Sequence, residues 1–179
     1  MPLDNPFAGR DLASLSDDEL EQGARYRRLT NVMAAFTDRG FVTDEALTDL
    51  VDRYRYPLAG TSRIVFLAEP GERVLKVAIS AAGAVENQHE LVGVPGIPIA
   101  PTTRATFTGV RDAIWMDWVD EIDPIRDIAE CDCDRYDWIR KVDMMQVGRT
   151  QAGEVVAFDA GRAGAAHELH QQWRSPNRQ

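Results

Sequence analysis

The chain contains 179 residues, of which 44% are apolar and 27% are charged, fractions typical of a globular protein with one core and incompatible with wholesale disorder. The net charge of −9 argues against nucleic acid as a general partner, because phosphate binding requires a basic face. There is no apolar run of about 20 residues and no signal-peptide pattern, so we expect a soluble, cytoplasmic protein with no membrane partner.

Residues 1–56 are predicted to form an extended arm followed by a helical cap. Ser16 and Glu19 match a capping box that starts a first helix running to about residue 38, and Thr43 can cap a second. Two adjacent helices also resemble a DNA-binding helix-turn-helix. Eleven acidic residues against eight arginines before residue 64 favour instead a cap that packs on the following sheet.

Residues 57–120 change to the pattern of an antiparallel sheet with one helix. Strands are predicted at Ile64–Ala68, Val74–Ile79, Thr103–Phe107 and Ala113–Val119, which form two hairpins. Residues 81–92 predict a helix that carries Glu86 and Glu90 four positions apart on one face. The aromatic side chains of Trp115 and Trp118 are expected to wall the core or to line a pocket.

Residues 121–179 begin with an acidic loop that holds at most a short helix. A third hairpin is predicted from strands at Met144–Val147 and Val155–Phe158, and it leads into Asp159-Ala-Gly161. Several short patterns here favour ordinary structural roles. They are Met144-Met145 as core filler, Cys131 and Cys133 as free thiols, and His167 and His170 as an exposed helix end.

One lysine in this chain stands in an unusual place. The sequence has only two lysines against eighteen arginines, which is typical of a high-GC genome or of a halophilic, for example archaeal, host. Lys76 nevertheless lies between Leu75 and Val77 in the middle of a predicted strand. Its ammonium must either reach solvent along its apolar stem or meet an anion.

The order of parts from residue 60 to residue 161 resembles the protein-kinase-like superfamily, in particular small bacterial, archaeal and viral kinase-like proteins. The matching segments are GTSRIVF, VLKVA, GAVENQHE and VVAFDAG. The resemblance implies an α+β fold with a kinase N-lobe-like antiparallel sheet and one flanking helix, preceded by the two-helix cap and followed by a reduced C-terminal part. It also implies ATP and Mg²⁺ as cofactors.

The resemblance assigns a role to each matching residue. Gly60, Thr61 and Ser62 would cover the nucleotide phosphates, and Lys76 would hold them while paired with Glu90. Glu86 is the alternative partner on the same helix face. A magnesium ligand is implied at Asp159, and residues 114–119 would correspond to the segment that binds adenine through its backbone.

The same alignment also shows what the chain lacks. Gln146 stands where the family has its second metal-binding residue, an asparagine, and Lys141 stands where it has the catalytic aspartate. Asp143 or Asp137 could substitute, although neither has the family's spacing. Only about twenty residues follow Asp159, so we do not expect the family's substrate-binding helices in this sequence.

Three functions follow as hypotheses. The first is a pseudokinase-type protein that binds a nucleotide or a protein partner with impaired phosphotransfer. The second is a non-catalytic structural or interaction protein of a virus or mobile element, which could be associated with the virion. The third is an active minimal ATP-dependent phosphotransferase. The fold alone does not choose among them.

Overall fold

The computed structural model describes residues 7, 9–38, 40–55, 57–69, 71–127 and 135–163. Within these ranges the chain has an α+β architecture, as predicted. Two N-terminal helices, a five-stranded antiparallel sheet with a packed helix, and a small three-stranded sheet follow one another. The predictions for Cys131, Cys133, His167 and His170 lie outside the described residues.

The two N-terminal helices begin where their capping residues predict. Helix α1 spans Asp17–Phe36, and the capping box of Ser16 and Glu19 is formed in both directions. Helix α2 spans Asp44–Tyr54, and Thr43 accepts the hydrogen bond from the backbone N–H of Ala46. None of the helices in the described ranges combines the length and apolar character that a membrane crossing needs.

The main sheet contains both predicted hairpins. Its strands are β1 Leu58–Ala59, β2 Arg63–Glu69, β3 Arg73–Ala78, β4 Thr102–Ala105 and β5 Ala113–Asp117. They lie in the order β1-β2-β3-β5-β4, and every neighbouring pair is antiparallel. The second hairpin is shorter than predicted, because β4 ends at Ala105 and β5 ends at Asp117.

The alternation of side chains along β3 gives the sheet two different faces. Leu75 and Val77 are fully buried in the core formed with α1 and α2, which confirms the cap of the sequence analysis. Lys76 points to the opposite face, which it shares with its cross-strand partner Val65. Val74 lies on that same face, two residues from Lys76. The lysine is therefore on the face that the helical cap leaves uncovered.

Helix α3, Ala81–Val92, packs against β3 and β5 on this uncovered face, and Ser80 caps its N-terminus. The small sheet follows after β5. Its strands are β6 Asp120–Glu121, β7 Val147–Arg149 and β8 Val155–Ala157, in that order and all antiparallel. Helix α4, Pro124–Asp127, and short 3₁₀ turns lie between β6 and β7. A parallel bridge between Ile99 and Ala157 joins this part to the connector before β4.

The third hairpin exists, but its first strand begins at Val147 and not at Met144. Met144 and Met145 instead form part of a 3₁₀ turn in which both have positive φ, 51° and 52°. The prediction of a buried methionine pair was wrong, since their exposed fractions are 81% and 37%. Trp138, Ile139 and Val142 fill that part of the core instead, together with Val147.

Gly83 brings α3 closer to the turn before β2 than any other residue would allow. A Cβ atom at this position would overlap the carbonyl oxygen of Ser62 and lie 3.0 Å from Arg63 Cγ. Replacing a helical glycine with alanine ordinarily stabilises a helix by up to about 1 kcal/mol. We expect Gly83→Ala to lower the free energy of unfolding by about 1–3 kcal/mol instead, because the helix must move away from the sheet.

Urea denaturation followed by circular dichroism measures this difference. Gly23→Ala in α1 is the matched control, since its new Cβ would meet Phe7 Cδ2 at an ordinary 3.5 Å. This control should be neutral or stabilising. Equal effects of the two substitutions would show that α3 does not press on the Ser62 carbonyl.

Candidate functional site

Lys76 meets an anion, so the ion-pairing alternative is the one observed. Its Nζ donates a 2.9 Å hydrogen bond to Glu90 Oε2 on α3 and a second one to the carbonyl oxygen of Phe158, which follows β8. Both side chains of the ion pair are almost completely buried. Lys76 therefore joins the main sheet, α3 and the end of the small sheet at one point.

Arg63, the first residue of β2, is the centre of the site. Its side chain is only 6% exposed and contacts three carboxylates. Nε lies 3.1 Å from Glu86 Oε2, Nη1 lies 3.0 Å from Glu90 Oε1, and Nη2 pairs with Asp159 Oδ1. The sequence analysis gave Arg63 no role. The only available signal was its place directly after Gly60-Thr-Ser62.

A polar network continues from Arg63 through the buried face of α3. Asn87, which is completely buried, accepts a 3.3 Å hydrogen bond from Arg63 Nη1 and donates a 2.7 Å bond to Asp112 Oδ1. Ser62 Oγ donates to Glu86 Oε2 over 2.7 Å. Buried polar groups with satisfied bonds fix the relative position of the elements that carry them. The Ser62 turn, α3 and the β4–β5 loop are thus held in register.

Two cations are buried here, and their environment shifts their pKa values in opposite directions. Burial lowers the pKa of Lys76, and the nearby charge of Glu90 only partly offsets this. Burial also acts to lower the pKa of Arg63, but the charges of Glu90, Asp159 and Glu86 outweigh it, so this pKa is raised. The guanidinium is therefore the permanent positive charge of the cluster.

A cleft of about 910 Å³ opens beside this cluster, between the uncovered face of the main sheet and the small sheet. Its apolar lining consists of Leu58, Ala59, Val65, Leu67, Val74, Met116, Val119 and Phe158. Trp118, half-buried, also lines it, whereas Trp115 packs on the opposite face against the helical core. A volume of this size with apolar walls and a few polar groups is typical of a small-molecule site.

The turn Gly60-Thr-Ser62 forms one edge of the cleft. The N–H of Gly60 donates to the Arg63 carbonyl oxygen over 2.9 Å, and the Ser62 carbonyl oxygen accepts from Ile79 over 3.0 Å. Within the described part of the chain, the N–H groups of Thr61 and Ser62 have no acceptor. Free backbone N–H groups in a tight turn are suited to bind an anion.

Asp143 and Gln146 also line the cleft. Asp143 pairs with Arg162 at 2.9 Å, and Arg162 also lies 3.6 Å from Glu86 Oε1. The two positive-φ methionines between Asp143 and Gln146 are a strained conformation for residues with a Cβ. Neither Asp137 nor Lys141 is among the described residues that line the cleft.

The residues present do not fit Mg²⁺. A magnesium ion is held by carboxylates and needs their charge, but the one carboxylate implied as its ligand, Asp159, is paired with Arg63. Gln146 is neutral. No group of three or more acidic, histidine or cysteine side chains suited to a metal occurs in the ranges that the structure describes.

Most of the predicted site residues therefore surround one cleft. Gly60, Thr61, Ser62, Lys76, Asp143, Gln146 and Asp159 line it, Glu90 lies behind Lys76, and Glu86, the alternative partner, contacts Arg63 and Ser62. Comparison with protein-family models, curated proteins and solved structures finds no match for this chain. The function has to be inferred from the site itself.

Proposed function

We propose that this protein is a kinase-like protein of the pseudokinase type, which binds a nucleotide in the cleft and has impaired phosphotransfer. The observation that carries the proposal is the buried Lys76–Glu90 ion pair, which lies beside Asp159 at a cleft bordered by the turn at residues 60–62. This is the arrangement expected of the sheet, helix and Asp-x-Gly strand in the phosphate-handling half of a kinase.

The apolar part of the cleft lining supports a ligand with an apolar ring. Val65 and Val74 lie on neighbouring strands above it, and Met116 pairs with Val74 across β3 and β5. An adenine ring between these side chains and Phe158, which follows the small sheet, would bury apolar surface. The backbone of residues 114–119, of which residues 116–119 line the cleft, would supply hydrogen bonds to the ring edge, as the resemblance implies.

Impaired catalysis is proposed because a lysine stands where the resemblance places the general base. Lys141, at the position of the catalytic aspartate, is exposed and carries the opposite charge, and it does not line the cleft. Asp143 lines the cleft but is paired with Arg162.

Isothermal titration calorimetry of the full chain with adenosine, AMP and ATP tests nucleotide binding. We expect saturable binding to the natural protein and a loss of at least about tenfold in Val74→Phe, because a phenyl ring at this position fills the cleft. Val92→Phe is the control, since Val92 is 68% exposed at the end of α3 and does not line the cleft.

Absence of binding to the folded natural protein would contradict the proposal. It would favour the second hypothesis, a structural or interaction protein in which Lys76 only fastens the sheet to α3. Nucleotide binding accompanied by ATP hydrolysis or phosphate transfer would favour the third, an active phosphotransferase.

A further inference from the structure

We propose that Arg63 takes the place of a divalent cation at Asp159, so that the cleft binds a nucleotide with few phosphate groups and needs no Mg²⁺. This inference rests on the proposed function, since it names the charge state of the ligand and the cation that compensates it. Its basis is the position of the guanidinium, which bridges α3 and the carboxylate that ends the small sheet.

Asp159 is accessible to a ligand but is already paired with an arginine that is held in place. Its side chain is 36% exposed and lines the cleft, so a ligand can reach it. Arg63 is 6% exposed and is held by Glu86, Glu90 and Asn87 as well. A metal ion would have to compete with a guanidinium that cannot move away without breaking its ion pairs with two other, buried carboxylates.

The residues that line the cleft carry a net negative charge. Four basic and six acidic residues line it, namely Arg28, Arg63, Lys76 and Arg162, and Glu86, Asp117, Asp120, Glu121, Asp143 and Asp159. The lining is thus formally negative by two charges. A metal-free triphosphate is repelled by such a lining, whereas a nucleoside or a nucleoside monophosphate meets little repulsion.

The cleft has few groups that could donate hydrogen bonds to a phosphate. Lys76 is only 4% exposed and already bonded to Glu90 and to the Phe158 carbonyl. The free N–H groups of Thr61 and Ser62 and the exposed guanidinium of Arg162 are the better donors at the cleft surface. These groups suffice for one phosphate and are too few for three.

Asp159→Asn separates this proposal from a magnesium site, because the two predict changes of opposite sign. Removing the carboxylate should tighten AMP binding by about fivefold, since it removes a negative charge next to the phosphate and frees one side of Arg63. Adenosine binding should stay within about twofold of the natural protein, because adenosine carries no charge. A magnesium ligand at Asp159 predicts instead that the substitution weakens binding.

The titrations are run on the full chain with excess MgCl₂ and with EDTA. We expect the AMP and adenosine affinities to agree within about twofold between the two buffers, and AMP in EDTA to bind at least as tightly as ATP in EDTA. Glu121→Gln is the matched control, because it removes one acidic charge from the cleft lining away from Arg63. A gain of more than about tenfold with MgCl₂ that Asp159→Asn abolishes would overturn the proposal.

Binding of Mn²⁺ without nucleotide gives an independent readout. Electron paramagnetic resonance of MnCl₂ titrated into the natural protein and into Asp159→Asn should show equal amounts of bound ion. Tighter Mn²⁺ binding by the natural protein would refute the role given to Arg63. If neither AMP nor adenosine binds, the nucleotide proposal fails, and the Mn²⁺ comparison still decides whether Arg63 excludes a metal.

Discussion

Arg63→Met is expected to lower the free energy of unfolding by about 3–5 kcal/mol. Methionine keeps much of the apolar stem but removes the charge. Glu86 and Glu90 would then be buried without the guanidinium that compensates them, and Glu90 is completely buried. The contact with Asp159 adds less, because its side chain is 36% exposed and screened by solvent.

Urea denaturation at neutral pH measures this loss, and Arg73→Met is the matched control. Arg73 lies on the neighbouring strand and pairs with Glu69 at 2.7 Å, but both side chains are more than a third exposed, at 41% and 35%. Its replacement should cost less than about 1 kcal/mol. Similar losses for the two arginines would mean that Arg63 is not the centre of the buried cluster.

Adding Glu86→Gln to Arg63→Met should recover part of the lost stability. The double variant no longer buries a Glu86 carboxylate that has lost its guanidinium, so the two effects should not be additive. Additive losses would contradict the direct interaction between Arg63 and Glu86. This double-mutant cycle also separates the ion-pair effect from a simple loss of packing around the arginine stem.

Asn87→Asp is the second substitution with a large expected effect, although it changes almost no volume. Asn87 Nδ2 lies 2.7 Å from Asp112 Oδ1 in a completely buried position. An aspartate would place a carboxylate at that distance from Asp112, and two carboxylates this close cannot both be ionised without a large penalty. We expect a loss of about 3–5 kcal/mol in the free energy of unfolding at neutral pH.

The loss of unfolding free energy in Asn87→Asp should be smaller at acidic pH. The repulsion raises the pKa of the new carboxyl group in the folded protein above its value in the unfolded chain. The folded state therefore binds the extra proton more tightly, and the difference between variant and natural protein grows as the pH rises between these two pKa values. Denaturation of both proteins at several pH values measures this. Asn87→Leu is the control, because it removes the same hydrogen bonds without a titratable group, and its loss should not depend on pH in this way.

Much of the architecture was determined by local patterns in the sequence. Ser16 with Glu19 and Thr43 specify where the first two helices begin, because a capping side chain bonds to a backbone group only three residues away. The hairpins follow from short turns between apolar runs. Lys76 could also be recognised as exceptional from its strand alone, since alternation places it opposite to Leu75 and Val77.

The arrangement of the site was decided by the tertiary structure. Arg63 meets Glu86, Glu90 and Asp159, and the last of these lies 96 positions away in the chain. No periodic pattern within a strand or a helix predicts such a contact. The sequence therefore predicted a role for Lys76 and none for Arg63.

The methionine turn shows the same limit on a smaller scale. The sequence predicts Met144 and Met145 to be buried residues of a strand, because their side chains are apolar. In the fold, Trp138 and Ile139 already occupy the nearby core, and the methionines are turned outward with positive φ. Local interactions thus determined the elements, their caps and their hairpins. Only packing between distant elements decided which charges were buried together, because the energy of a buried ion depends on every group that surrounds it.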